Sequence, residues 1–282
     1  MQKGVKFRIY PNMEQQNLIN QTLGCCRLIY NKCLAMRNEA YENGNKIGYS
    51  QTSAMLTGLK RMEEFAFLKE VDSIALQQSL RDLDRGFVNF FQKRAAHPTY
   101  KSKHNHHQSY RTVNQDDNIH IAGKYMKLPK LGFVKIRQSM EVGKINHVTI
   151  ERTPTNKYFA VLNVEFEPQP RPNNGGRIGI DVGIKEFYSD SNGTVVSNPK
   201  YLERSMRKLI REQRKLSRKP KGSNNRTKQR VKVALVHEKI TNQRNDFLQK
   251  ESTKRIRENQ TICIEDLKVK NMMRNHKLAQ HI

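Results

Sequence analysis

Two acidic residues, Asp181 and Glu265, stand at the ends of short apolar segments in the last third of the chain. Asp181 lies in RIGIDVGIKEF (177–187), and Glu265 lies 84 residues later in TICIEDL (261–267). If these segments are neighbouring strands, the two carboxylates share one site, where their like charges are unfavourable unless a divalent cation offsets them. Mg²⁺ binds through such sparse carboxylate sets, completed by water and phosphate oxygens. Taken singly, an acid at a strand end is also typical of a turn cap or an ion pair.

The elements around the two acids predict how they could meet. After the linker-like EPQPRPNNGGR, three tightly joined strands are expected over IGIDVGI, KEFYSD and TVVSN. Two long helices follow, broken at RKPKGSNN, and the second runs from about residue 226 to about 259 before the strand that carries Glu265. Three antiparallel strands, a helical excursion and a further strand form the layout of ribonuclease-H-like metal-dependent nucleases.

The charge distribution predicts a polyanionic partner. The chain carries 52 Lys and Arg against 26 Asp and Glu, a formal net charge of +26. Residues 200–259, from Lys200 to Arg257 and including Arg255, hold 20 of these cations against six acids. Charge of one sign favours a surface that follows phosphates, although a solvated helical hairpin is the alternative. We assign nucleic-acid contacts to Arg207, Lys208, Arg211, Arg214, Lys215, Arg218, Lys101, Lys103 and Arg111.

Other classes of protein find little support. No apolar run approaches the roughly 18 residues of a membrane span, and MQKGVKFRIYPN is not a signal peptide. The four cysteines form no CxxC pair, so we predict neither a disulfide framework nor a zinc site, and we place Cys25 and Cys26 in the core. The HNHH segment (His104, His106, His107) suits RNA or solvent better than a metal. A cytoplasmic, nucleoid-associated protein of a prokaryote is expected.

The first half of the chain predicts a helical region flanked by strands, so the fold class is α+β with several domains. KFRIY (6–10) has the alternation of a strand. Helical periodicity follows over about 11–44, as two short helices or one kinked helix, and again over 50–68 and 73–94. After a basic loop from residue 97, five short strand-like segments indicate a small barrel or sandwich that the first strand could join.

At this point several motifs, in order, resemble one family. They are FRIYP and LGCCRLIYN near the start, SYRT and KLPKLGFVKIR in the middle, and GIDVGIKEF and IEDLKVKNMM near the end. Together with the basic helical segment, they resemble the insertion-sequence OrfB/TnpB proteins, ancestors of the type V CRISPR effectors. The resemblance covers residues 4–282.

The resemblance implies a transposon-encoded, RNA-guided DNA endonuclease, historically called a transposase, with guide RNA and target DNA as partners. It implies a wedge-like β-barrel domain of residues 1–10 and 98–168, a helical recognition domain of 11–97 inserted into it, a linker of 169–176 and a RuvC-like nuclease domain of 177–282. By this resemblance Asp181 and Glu265 match two catalytic carboxylates that bind Mg²⁺. The helices of 11–44 could also form a DNA-reading helix-turn-helix, but the resemblance favours the recognition domain.

The sequence departs from the family pattern at its end. The family continues into a four-cysteine zinc ribbon and a third catalytic aspartate, so we expect a truncated nuclease domain with two carboxylates and no zinc. Asp266 does not replace the third acid, because adjacent strand residues point to opposite faces. The alternatives are a catalytically dead RNA- and DNA-binding repressor or competitor, an inactive gene remnant, and a nuclease completed by a C-terminal fragment in trans.

Overall fold

A computed structural model describes residues 1–105, 108–168, 175–275 and 279, and it contains two compact units, Met1–Pro168 and Gln169–Ile282. Residues 169–174 of the expected linker lie outside the described residues, as do His106 and His107 of the HNHH segment. Both units combine helices and strands, so the predicted α+β class is confirmed.

The first unit is a curled, seven-stranded sheet with helices inserted after its first strand. The order of the strands is β2-β6-β7-β1-β5-β4-β3, and all neighbouring strands are antiparallel. The strands are β1 (Gln2–Tyr10), β2 (Gln108–Val113), β3 (His120–Ala122), β4 (Tyr125–Leu128), β5 (Gly132–Arg137), β6 (Ile145–Arg152) and β7 (Tyr158–Glu165). The helices are α1 (Met13–Glu42), α2 (Tyr49–Leu59) and α3 (Ser73–Phe91), with a 3₁₀ segment at Glu63–Lys69.

Strand β1 lies at the centre of this sheet, as its alternating sequence allows. Val5, Phe7 and Ile9 are buried, and the intervening Lys6 is exposed. Beyond Pro11, a capping box starts α1. The Asn12 side chain accepts a hydrogen bond from the Gln15 amide, and the Gln15 side chain accepts one from the Asn12 amide. The chain therefore leaves the sheet for the helices within two residues.

The helices differ in detail from the sequence prediction. Residues 13–42 form one continuous α1, with Gly24 inside it, rather than two short helices. The apolar stripe explains this continuity, because every turn from Ile19 to Leu34 packs into the core of the unit. In place of the predicted helix over 50–68, the structure has α2, which ends at Leu59, followed by the separate 3₁₀ segment at Glu63–Lys69. No helix that the structure describes is both long and apolar enough to cross a membrane.

The second unit joins a small sheet to a long helical hairpin. Its sheet has the order β10-β9-β8-β11, in which β11 runs parallel to β8 and the other pairs are antiparallel. The elements in chain order are β8 (Arg177–Val182), β9 (Glu186–Asp190), β10 (Val195–Ser197), α4 (Tyr201–Ser217), α5 (Asn224–Glu258), β11 (Thr261–Ile264) and α6 (Val269–Met272). Leu209 of α4 packs against Val236 and Ile240 of α5 to form a small apolar core.

Three of the four cysteines lie in the core of the first unit. Cys25, Cys26 and Cys33 are buried along α1, in agreement with the sequence prediction for the first two, whereas Cys263 in β11 is exposed. Burial raises the pKa of the Cys25 thiol to about 11 and that of Cys33 to about 12, and it raises the pKa of Cys26 as well. These thiols are protonated at neutral pH.

We expect one fast and three slow thiols when the native protein reacts with a disulfide reagent at pH 8. The thiolate is the attacking species, and the raised pKa values leave almost none of it at the three buried positions. Absorbance of the released thiol measures the phases, and all four cysteines should react quickly in denaturant. In Cys263→Ser the fast phase should disappear, and a fast thiol remaining in that variant would contradict the burial of α1.

Candidate functional site

The structure brings Asp181 and Glu265 together on neighbouring strands. Ile180 of β8 pairs with Ile264 of β11 in parallel register, and each acid is the next residue of its chain. Because neighbouring strands lie about 4.8 Å apart, the two backbones present these residues side by side. Both acids are exposed, and both line one open depression with a volume of about 460 Å³.

Local backbone contacts explain why β8 ends and β11 begins where they do. Gly183 closes the turn from β8 to β9, and a side chain there would approach the carbonyl oxygen of Glu186 to 3.0 Å. At the other strand, the amides of Gln260 and Thr261 both donate to the carbonyl of Gly176, at 2.8 and 3.0 Å. These contacts start β11 beside β8 and bring the two acids to the same end of the sheet.

The donor set suits a hard cation. Carboxylate oxygens are preferred by Mg²⁺, which keeps several waters and often takes only one or two protein carboxylates. Within the described part of the chain, no group of three or more His, Cys, Asp and Glu residues is placed to hold a metal. Asp181 and Glu265 can therefore supply two ligands, with the open depression leaving room for water and a phosphate group.

A third acid beside the depression, Asp190, has a different role. One oxygen of its buried carboxylate accepts from the amides of Asn192 and Thr194, at 3.0 and 2.9 Å, and the other lies 3.1 Å from Nη2 of Arg255. Burial favours the protonated acid, but the hydrogen bonds at Thr194 and Asn192 and the charge of Arg255 outweigh it and lower the pKa of Asp190. Asp190 thus stays ionised and caps the turn.

Sequence reasoning missed this ion pair. Arg255 was counted with the basic surface, yet the structure buries it, because its guanidinium faces β9 instead of solvent. The turn-forming residues DSNGT at 190–194 are a signal from which a turn-capping role for Asp190 could have been predicted. Nothing in the spacing showed which of the many cations on α5 would face the sheet.

The six basic residues predicted on and just after α4 are all exposed: Arg207, Lys208, Arg211, Arg214, Lys215 and Arg218. The Arg211 and Lys215 side chains lie 3.4 and 3.5 Å from the Glu212 carboxylate. One side of α4 therefore presents a dense array of cations to solvent, as binding to phosphates requires.

The three basic residues predicted in the first unit are less uniform. Lys103 is exposed. Lys101 is exposed as a whole residue, but its ammonium lies 4.1 Å from the Tyr30 ring centre, and desolvation lowers its pKa. Arg111 pairs with Asp82 at 2.5 Å. Their assignment to nucleic acid stays a prediction, and for Lys101 and Arg111 binding would compete with these internal contacts.

The two long helices of the second unit, α4 and α5, are held together by buried polar contacts. The side-chain amide of Gln229 in α5 donates to a carboxylate oxygen of Glu212 at 2.7 Å and to the backbone carbonyl of Glu212 at 3.1 Å. That side-chain hydrogen bond, ahead of the nearby Lys215 and Arg211 charges, lowers the pKa of Glu212. Arg226 also donates to the carbonyls of Leu216 and Lys219, which satisfies the end of α4.

Comparison with known proteins relates this geometry to a family. A family model described as "Probable transposase" (OrfB_IS605) matches residues 155–276. A Streptomyces pristinaespiralis protein named "Putative RNA-guided DNA endonuclease" is 41% identical, over 100% of this chain and 71% of its own length. The chain belongs to the OrfB/TnpB family. "Putative RNA-guided DNA endonuclease InsQ" of Escherichia coli K12 is another relative, 36% identical over 96% of this chain and 67% of its own.

The OrfB/TnpB fold extends to more distant structures. The cryo-EM structure of a Cas12f1-sgRNA-target DNA complex contains a chain that matches 95% of this one, over 81% of its own length, with a TM-score of 0.53 and 12% identity. At that identity the likeness concerns the fold. A second family model, described as a helix-turn-helix domain, matches residues 1–46, where this chain has β1 and one continuous α1.

We expect Glu212→Gln to loosen the helical hairpin at neutral pH more than in acid. Because the folded state holds the pKa of Glu212 below its ordinary value of 4.5, its contribution to stability is present above that value and is lost as the pH falls further. Thermal unfolding followed by circular dichroism at pH 7 and pH 3 should show a difference in Tm between the two proteins that shrinks in acid. Glu203→Gln, an exposed acid on the same helix, serves as the control, and an equal difference at both pH values would contradict the role of Glu212.

Proposed function

We propose that this protein is a transposon-encoded, RNA-guided DNA endonuclease that cleaves through a Mg²⁺ site at Asp181 and Glu265. The observation that carries this proposal is the parallel pairing of β8 with β11, which puts the two acids side by side at one open depression. The family membership supports the reaction type, because relatives 41% and 36% identical to this chain carry the name RNA-guided DNA endonuclease.

The acidic residues at the depression would bind the cation through their negative charge. Asp181 and Glu265 concentrate negative charge at one end of the sheet and so attract a cation that a DNA phosphate alone would not hold there. When bound, Mg²⁺ supplies Lewis-acid polarisation of a phosphodiester and a more acidic water. The exposed position of both acids leaves the depression accessible to a DNA backbone.

We assign the two units to different tasks. The second unit is the RuvC-like nuclease domain of residues 177–282, supported by its strand order and its two acids. In the first unit, residues 1–10 and 98–168 form the wedge-like domain, supported by the pairing of β1 with β5 and β7. The helices of 11–97 then form the inserted recognition domain.

Guide RNA and target DNA would be held largely by charge. The six exposed cations on and just after α4 belong to a helix that buries Leu209 and Glu212, so they face solvent, and Arg211 and Lys215 also lie near the Glu212 carboxylate. Contacts of this kind track phosphates and carry little sequence information, which suits a protein whose sequence specificity comes from a paired guide RNA. Lys103 would extend such contacts on the first unit.

We expect Asp181→Asn and Glu265→Gln each to reduce Mg²⁺-dependent DNA cleavage by at least about a hundredfold. Replacing a residue that only orients a metal ligand costs about ten- to a hundredfold in activity, and replacing a ligand itself should cost at least as much as the upper value. The assay uses the purified chain with its copurified RNA and guide-matched DNA. Asp266→Asn is the matched control, since it removes the neighbouring acid, which is not among the residues lining the depression. RNA binding should survive in all three variants. Cleavage by Asp181→Asn at the unmodified rate would refute the assignment of the site.

We expect the joint variant Arg207→Gln, Arg214→Gln and Arg218→Gln to bind guide RNA with a weaker dependence on salt. The slope of log K against log salt is negative, and each lost phosphate contact reduces its magnitude by about 0.7 to 0.9. Loss of three contacts should therefore reduce the magnitude of the slope by roughly 2 to 3. Filter binding from 50 to 300 mM KCl measures it. Replacing the same three arginines by lysine keeps the charge and should keep the slope. An unchanged slope in the glutamine variant would place the phosphate contacts on another surface.

A further inference from the structure

Arg255 is a buried cation on a helix that is otherwise mostly exposed. Helix α5 has 35 residues, and its buried ones are Gln229, Val236, Ile240 and Arg255. The first three face α4, whereas Arg255 lies one turn before the end of the helix and is 7% exposed. A buried charge is costly unless it is well paired, so the contacts of Arg255 indicate why it is there.

Those contacts bind the end of α5 to strand β9. Nε of Arg255 donates to the Tyr188 hydroxyl at 2.6 Å, and that hydroxyl donates to Glu251 at 3.0 Å. Nη2 lies 3.1 Å from Asp190, and Nη1 lies 3.4 Å from Glu258. The guanidinium thus contacts two residues of β9 and Glu258 of its own helix, and Glu251 joins the group through the Tyr188 hydroxyl.

From Asp190 the chain of contacts continues to β8. The carboxylate of Asp190 holds the turn at 190–194, and Ser191 in that turn exchanges two hydrogen bonds with Gly179 of β8. The Ser191 amide donates to the Gly179 carbonyl at 2.9 Å, and the Gly179 amide donates to the Ser191 hydroxyl at 3.1 Å. Gly179 precedes Asp181 by two residues on the same strand.

From the backbone of Arg255 a second path leads to β11. Its carbonyl accepts from the Asn259 amide at 3.1 Å and from the Asn259 side chain at 3.0 Å, which ends the helix. The next residue, Gln260, donates to Gly176 at 2.8 Å and begins the pairing of β11 with β8. The residue whose side chain contacts β9 therefore also accepts, through its carbonyl, the hydrogen bonds of Asn259, the C-cap at which the chain leaves α5.

We propose that Arg255 is a positioning residue that fixes the register of β11 against β8 and so keeps Glu265 beside Asp181. The inference rests on the proposed nuclease function. Strand β11 has four residues and pairs with β8 on one side, so its own ladder holds the register weakly. A slip of one residue would turn Glu265 to the other face of the sheet, and the fixed end of α5 prevents that slip.

The test uses the full chain without nucleic acid and Mn²⁺ as the probe. The variants are Arg255→Gln, Asp190→Asn, which keeps the turn-capping oxygen, and Tyr188→Phe, which removes one hydroxyl. Lys254→Gln is the control, because it removes the same charge from an exposed neighbouring position. The dissociation constant for Mn²⁺ comes from the electron paramagnetic resonance signal of the free ion. Hydrogen exchange of the amides of 259–264 reports the pairing of β11.

We expect Arg255→Gln to weaken Mn²⁺ binding about tenfold or more, as is typical for residues that orient metal ligands, and to speed exchange at 259–264. Asp190→Asn should act in the same direction, and the double variant should lose little more than Arg255→Gln alone, because both disrupt one clamp. Arg255→Lys keeps the charge near Asp190 and should restore part of the affinity. With guide RNA and DNA present, kcat should fall while KM for DNA stays unchanged.

The variant Asp181→Ala distinguishes a wrong metal site from a wrong positioning role for Arg255. If that variant binds Mn²⁺ as tightly as the unmodified chain, the proposed site is wrong. If it loses the ion while the Arg255, Asp190 and Tyr188 variants bind and exchange normally, the positioning role is refuted. Loss of Mn²⁺ in proportion to the unfolded fraction seen by circular dichroism, without local exchange at β11, would also refute it. Should Arg255→Gln fail to fold, Tyr188→Phe and Asp190→Asn decide the question.

Discussion

The parallel pairing of β11 with β8 is the constraint on which the second unit depends. Parallel strands cannot be joined by a tight turn, so the chain must leave the sheet and return at the correct place. Here the excursion consists of α4 and α5, and the return is set by the end of α5 and the two amides that donate to Gly176. That return places Glu265 beside Asp181 of β8, whereas the β9 residues of the site are already in the sheet before the excursion begins.

Different interactions determine the folded arrangement of each of the two units. The first has a large apolar core in which β1 pairs with strands more than 120 residues away, so its hydrophobic pattern defines its arrangement. The second has a small apolar core around Leu209, Val236 and Ile240. Buried polar contacts therefore carry more of its specificity, through Glu212 with Gln229 between the helices and Arg255 with Asp190 between helix and sheet.

This division also accounts for the distribution of charge. A helical pair whose solvent faces carry many cations and few acids repels itself, and a small buried contact area has to oppose that repulsion. Glu212, a buried acid of α4, is turned inwards to join the helices and also lies near Arg211 and Lys215, so it offsets only a small part of this charge. The exposed arginines and lysines are thereby left to meet an external polyanion, which links the stability of the unit to its proposed partners.

Much of this organisation could be predicted from the sequence because it depends on local patterns. The alternation in KFRIY, the apolar stripes of the helices and the break at RKPKGSNN each predict an element, and the two acids after apolar runs predict that Asp181 and Glu265 share one site. The continuity of α1 through Gly24 was left open, because local propensity there is weak and packing against the core decides it. The pairing of β8 with β11 depends on contacts across 84 residues, so its register is a tertiary property. The same holds for Arg255: in the sequence it is one of many cations on α5, and only the fold selects it, because helix length and phase bring that one side chain against Tyr188 and Asp190.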